Sequence, residues 1–170
     1  MSSNFISRLA PTPSGYLHFG NAFNFLLTYL LVNFYDGVLH LRIDDLDGPR
    51  VDHKFVEDIF IQLEWLGIDY HFGPSGPDDL YSNFSQQLRK DSYFNAIEIL
   101  KKAGHLFACE CSRSKIRNSS SSNIYPRTCR NKNLDFLKDN QTWRVIVPDN
   151  TFVWYRALKN NKKGIDLTNG

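Results

Sequence analysis

RLAPTPSGYLHFGN, Arg8 to Asn21, joins a short strand-like run, Asn4–Leu9, to a long apolar run from Leu17 to about Tyr35. Pro11, Pro13 and Gly15 stop the strand and stiffen the loop behind it. The apolar run carries Phe19, Ala22, Phe23, Leu26, Leu27, Leu30 and Leu31 on nearly every face, which predicts a helix buried on several sides. His18 and Gly20 fall in its first turn, where unpaired backbone N–H groups and the helix dipole favour phosphate. Gly15 and Gly20 carry no side chain, so a nucleotide can approach the backbone closely. His18 supplies a donor for charge developing on phosphate, and Arg8, at the end of the strand, suits bidentate pairing with a carboxylate. For any one of these residues the plain alternative is a Pro/Gly turn with a buried histidine. The whole string resists that reading.

Working outward, Asp36-Gly37 is a helix stop, and Val38–Ile43 is β-branched and apolar enough for an inner strand. Strand, turn, helix and strand in this order open an α/β sheet, whose ligands bind where strands end and helices begin. Lys54–Leu66 is amphipathic at Val56, Ile59, Phe60, Leu63 and Leu66 and stops at Gly67. Residues 68–85 are turn-rich. A third helix is predicted over Gln86–Ala103, apolar at Tyr93, Phe94, Ile97 and Leu100, with Lys101 and Lys102 in its last turn and Gly104 at its end. His105–Ala108 reads as a strand leading into Cys109 and Cys111, and Ser119–Ser122 as a flexible loop. Trp143–Val147 and Thr151–Tyr155 read as strands around a Pro148-Asp149-Asn150 turn. There is no internal repeat.

With 170 residues, 42% of them apolar and 22% charged, the chain can bury a true core as one domain, or one domain carrying an insertion. The longest apolar stretch, Ala22–Val32, is 11 residues long and too short to span a bilayer, and the N-terminus has no signal-peptide core. Three cysteines, an odd number, fit a reducing compartment, so the expected location is cytoplasmic with no membrane partner. The formal charge of +2 hides an asymmetry. Residues 36–79 hold eleven acids against Arg42, Arg50 and Lys54, whereas residues 101–132 hold eight Lys or Arg against Glu110 alone. That basic density points to an anionic partner such as a nucleic-acid backbone, the alternative being a solvated surface facing the acidic half.

The Arg8–Asn21 string resembles the first signature of the class I aminoacyl-tRNA synthetases, in the glutamyl branch, R-x-A-P-S/T-P-S-G-x-L-H-x-G. LHLRIDDLDGPR, Leu39 to Arg50, is similar to that branch's next block, R-I-E/D-D-x-D-x-x-R, in the right order and at the right separation. The likeness covers about Asn4–Lys132 well and the remainder loosely. It implies that Arg8, Leu9, Ala10, Pro11 and Thr12 line a glutamate site. Asp44 stands where the family usually has a glutamate holding the substrate's amino group, one methylene shorter here. Without the flanking motif, Asp44, Asp45 and Asp47 read as a solvated acidic turn. The ATP site implied is Pro13, Gly15, His18 and Gly20, with His18, Gly20 and Asn21 as the catalytic signature and ATP taken with Mg2+.

All three cysteines fall within 21 residues, and three thiolates supply most of a tetrahedral zinc site. Chemistry alone suggests His105 as the fourth ligand. The order C-x-C, loop, Y-x-x-x-C-R is instead similar to that of the glutamyl-Q type of this family, which implies Cys109, Cys111, Tyr125 and Cys129 as ligands of structural Zn2+, with His105 as the fallback. The alternative is three free thiols.

The expected fold class is α/β: the first half of a Rossmann-like nucleotide-binding fold of the class I synthetase type, with a zinc-binding insertion. The corresponding divisions are residues 1–104 for that half-fold, 105–132 for the zinc-binding insertion, and 133–170 for its strand-containing remainder. The resemblance implies members about twice as long, with a lysine loop resembling K-M-S-K-S beyond Gly170. Lys159–Lys163 reads as a solvated turn instead. A half-sheet leaves an inner edge and the helix after His18 partly uncovered, so a partner chain or self-association is expected. The implied activity is ATP-dependent activation of glutamate to glutamyl-adenylate, then transfer to tRNA, with queuosine of tRNA(Asp) the leading acceptor. An ordinary glutamate–tRNA ligase is the alternative within the family, and a non-catalytic zinc- and RNA-binding module is the alternative outside it.

Overall fold

The computed structural model describes residues 5–119, 125–136, 141–148, 151–156 and 162–166. The chain divides into two compact units, Met1–Tyr93 and Phe94–Gly170.

In the first unit β1 (Ile6–Leu9) pairs in parallel with β2 (Val38–Leu41), in register Ile6 to Val38 and Leu9 to Leu41. The connection is α1 (Phe19–Phe34), so strand, proline-rich loop, helix and parallel strand follow in the expected order. Asp36 takes the left-handed conformation at φ 48° and ends α1, while the Gly37 N–H closes on the Val32 carbonyl at 2.8 Å. On its other side β2 meets Phe72 through a single parallel bridge at His40. α2 (His53–Trp65) is capped by the Asp52 carboxylate, which accepts from the Lys54 N–H, and Gly67 at φ 63° ends it. A single turn, α3 (Pro77–Asp79), runs into a wider turn at Leu80–Phe84. The core gathers Leu9, Val32, Leu39, Leu41, Ile43, Val56, Ile59, Leu63 and Leu80 between the strands and helices.

The burial of α1 corrects the sequence reading. Only Phe25 and Val32 are buried, while Phe19, Phe23, Leu27, Leu30 and Phe34 are exposed. Two strands offer the helix one covering face, so its other apolar rows face solvent.

The expected third helix is split. Its first turn, Gln86–Arg89, is a tighter 3₁₀ turn capped by Ser85, and α4 proper is Lys90–Lys102. The division between the units falls inside α4, after Tyr93.

In the second unit β3 (Leu106–Cys109) pairs antiparallel with β4 (Thr142–Val145), and α5 (Arg113–Ser119) follows the C-x-C turn. β5 (Phe152–Arg156) pairs antiparallel with β6 (Lys162–Asp166). The runs read as neighbours across Pro148-Asp149-Asn150 therefore do not pair with each other, because β3 and β6 satisfy their backbone groups instead. Lys162 and Lys163, read as part of a turn, open β6. Residues 120–122, 149–150 and 159–161, read as loop or turn, lie outside the described residues. No helix among the described residues is long and apolar enough to cross a membrane.

Candidate active site and cysteine cluster

The Pro-rich string folds into the expected loop at the end of β1. His18 is the N-cap of α1, with extended backbone, and its Nδ1 accepts from the Gly20 N–H at 3.1 Å. Asn21 closes the reciprocal contact, its Oδ1 accepting from the His18 N–H at 3.1 Å. With Nδ1 accepting, the neutral imidazole carries its proton on Nε2, which leaves that N–H as the donor away from the helix. A cavity of about 410 Å³ opens here, lined by Ala10, Pro11, Thr12, Gly15, His18 and Asn21 among others. Gly20 leaves no spare room, since a Cβ there would lie 3.0 Å from the His18 ring. The loop is held from behind: the Leu17 N–H donates to Asp58 on α2 at 3.3 Å, and Tyr16 meets Phe55 edge-on.

The remaining residues of the first signature separate. Leu9 is only 1% exposed and belongs to the core, and Pro13 is fully buried. Arg8 is exposed and lines a different cleft of about 480 Å³ with Ser7, His40, Arg42, Phe72 and Phe84. Asp44 faces that side through Arg42, which grips its carboxylate with Nε at 2.6 Å and Nη2 at 2.9 Å. The Asp44 contact holds the Arg42 guanidinium above its ordinary pKa, first through the hydrogen bond. Gln86 Nε2 donates to the same carboxylate at 2.9 Å.

Asp45 does not belong to a solvated turn. It is 2% exposed and accepts from the Ser85 hydroxyl and, at 2.7 Å, from the Gln86 N–H. Arg42, Gln86 and Asp45 are the contributors that sequence reasoning passed over. Arg42 carried a signal, standing two residues before Asp44 just past the end of β2, whereas Gln86 is 42 residues away and carried none.

In the second unit the three thiols converge. The Sγ atoms of Cys109, Cys111 and Cys129 lie within 4.8 Å of one another, all buried, with Cys111 and Cys129 at 3.6 Å. Tyr125 joins them: its oxygen is 3.2 Å from Cys109 Sγ and accepts from the Cys129 N–H at 2.9 Å. His105 is exposed and outside this group. Burial opposes ionisation of Cys109, yet hydrogen bonds from Tyr125, the Cys111 N–H and Arg144 bring it down to about 7. Burial pushes Cys111 up to about 11 and also raises the Tyr125 phenol. As a donor set this fits zinc, since Zn–S bonds of about 2.3 Å in a tetrahedron put sulfurs about 3.8 Å apart.

Residues 5–144 match the family described as tRNA synthetases class I (E and Q), catalytic domain. The chain belongs to that family. It is 34% identical over 166 residues to the glutamyl-Q tRNA(Asp) synthetase of Nitratidesulfovibrio vulgaris, covering 89% of this chain and 50% of that protein. It is 32% identical over 136 residues to the glutamate–tRNA ligase of Lawsonia intracellularis, covering 76% of this chain and 27% of that protein. Among solved structures, the glutamate-tRNA synthetase of Elizabethkingia anophelis aligns with 96% of this chain and 37% of its own at a TM-score of 0.61 and 21% identity, a likeness of fold. This class I (E and Q) chain thus spans half or less of the length of the relatives it matches.

Proposed function

We propose that this chain carries the nucleotide- and glutamate-binding half of an enzyme that activates glutamate with ATP and passes the glutamyl group to tRNA. The observation that carries the reading is the cavity of about 410 Å³ at the capped N-terminus of α1, bounded by Ala10–Thr12, Gly15, His18 and Asn21. A glutamate α-carboxylate oxygen attacks the α-phosphorus of ATP, supplied as its magnesium complex. The bond from that phosphorus to the bridging oxygen breaks, and pyrophosphate leaves. A hydroxyl of the RNA then attacks the carbonyl carbon and releases AMP. No covalent nucleophile is required of the protein, whose part is positioning and charge stabilisation. Gly15 and the first turn of α1 receive the phosphates, and the His18 Nε2–H donates to the oxygen on which charge builds. Arg8 takes a substrate carboxylate. Asp44, held rigid by Arg42 and Gln86, takes the amino group.

Cys109, Cys111, Cys129 and Tyr125 would hold zinc, which when bound cross-links the two ends of the basic segment. That segment, with eight Lys or Arg over residues 101–132, meets RNA phosphates. The tyrosine beside the thiols favours queuosine of tRNA(Asp) as acceptor over the tRNA 3′ end used by an ordinary glutamate–tRNA ligase.

The test is glutamate-dependent exchange of pyrophosphate into ATP on zinc-loaded protein, with and without tRNA. Exchange without tRNA is expected. Exchange only with tRNA identifies the ordinary ligase, and none from a folded, metal-loaded sample identifies a binding module without chemistry.

A further inference from the structure

Beside the thiol cluster, and sharing Tyr125 with it, lies a pocket lined by arginines. Arg113 and Arg117 stand one helical turn apart on α5, Arg144 reaches in from β4, and Ile116 and Tyr125 complete a cavity of about 280 Å³. A second cleft, of about 590 Å³, shares Arg113 and Arg144 and adds Ser112, Thr142 and one carboxylate, Glu110. The Arg144 guanidinium lies over the Tyr125 ring at 4.1 Å from its centroid, which fixes it in place, while its Nε is buried with no hydrogen-bond partner among the described residues.

The charge balance here is unlike that of residues 36–79. Arg42, Arg50 and Lys54, all the bases of residues 36–79, each have a carboxylate partner, in Asp44, Asp47 and Asp52. Among the described residues no ion pair joins Arg113, Arg117 or Arg144 to a carboxylate. Arg144 already hydrogen-bonds Cys109, so Arg113 and Arg117 are left facing the cavity without an anion, and their planar forks match phosphate oxygens.

We propose that Arg113, Arg117 and Arg144 form a seat for a backbone phosphate of RNA. The ligand is part of a polymer because the positive charge does not stop at the pocket: Lys115 and Lys132 continue it along residues 101–132. The Tyr125 ring is already engaged by the Arg144 guanidinium at 4.1 Å and by Phe107 stacked at 6.0 Å, so the seat reads phosphate and not a base. The seat rests on the reading that this unit meets RNA and narrows it to three side chains.

The experiment is filter binding of unfractionated tRNA to the zinc-loaded 170-residue chain over a series of salt concentrations, for the parent and for an Arg113→Gln, Arg117→Gln double variant. Both arginines are exposed on α5, and unchanged zinc content reports an intact fold. The expected result is affinity reduced about tenfold or more, with a salt slope shallower by about 1 to 2, since each phosphate contact contributes about 0.9. If the double variant loses zinc, the Arg117→Gln single variant is read in its place, with a slope change of about 1. Equal affinity and slope in parent and variant overturn the seat while leaving RNA binding by the unit standing. A parent that binds no tRNA removes both. Inorganic phosphate forms the last arm. Protection of the pocket by millimolar phosphate, with tRNA affinity unaltered in the variant, assigns it to a free anion and overturns the RNA assignment.

Discussion

On the proposed function His18 has two tasks, one for each nitrogen, and they can be separated. Nδ1 caps α1 by accepting from Gly20, while Nε2–H is the donor proposed for the substrate. His18→Asn keeps a side-chain acceptor at the cap and removes the outward donor. It is expected to leave thermal stability unchanged and to slow glutamate-dependent exchange by about 10²–10³-fold. His18→Ala loses both roles and also costs about 1 kcal/mol of stability. Exchange at the parent rate in the asparagine variant would remove His18 from the chemistry. Tyr125 is a second residue with a divisible role. Tyr125→Phe preserves the ring that Arg144 covers and deletes the oxygen shared by Cys109 and Cys129. Zinc affinity, read by competition with a chelator, should fall about tenfold or more, whereas Cys111→Ser should abolish binding. Full affinity in the phenylalanine variant would exclude the phenol as ligand.

Between elements, the informative tie is the one from Asp45 to the turn before α4. Its carboxylate collects the Ser85 hydroxyl and the Gln86 N–H, and Gln87 Nε2 donates to the Asp45 and Leu46 carbonyls. Asp45→Ala strands buried donors and should cost about 2–3 kcal/mol in denaturant unfolding. It also frees Gln86, so the Asp44 carboxylate loses one of its anchors and the KM for glutamate should rise. An Asp45→Ala protein as stable as the parent would mean that the turn is held by other contacts. At this scale the sequence was legible where periodicity is strong. Val56, Ile59 and Leu63 of α2 are buried as their spacing implies. The stripe on α4 was less informative, since Tyr93 and Ile97 are half-buried and Phe94 is exposed. The pairing of β4 was not legible, because an antiparallel strand can satisfy its backbone with any neighbour and hydrophobic pattern does not name which.

At the scale of the whole molecule, α1 dominates. From Phe19 to Tyr35 it carries no charged residue, and Phe19, Phe23, Leu27, Leu30 and Phe34 recur every three or four residues on its exposed side. A contiguous apolar face of this kind is normally covered. The 170-residue chain is therefore expected to self-associate in sedimentation velocity and to melt at a temperature that rises with protein concentration. A Phe23→Lys, Leu30→Lys variant, altered only on that face, should shift it toward monomer. A sharp, cooperative, concentration-independent melt of a parent monomer would overturn this expectation.

The sequence by itself determined the βαβ opening, the proline-rich turn ahead of α1 and the clustering of three cysteines, because each depends on residues close in the chain whose chemistry and spacing are fixed together. Only the tertiary structure decided that Leu9 turns into the core while Arg8 faces a separate cleft with Arg42. It alone decided that Gln86 reaches back to Asp44, that Asp45 is buried, and that Arg144 closes over Tyr125. Those contacts join residues tens of positions apart, and their partners are selected by packing and by the need to satisfy buried polar groups, which no local pattern encodes.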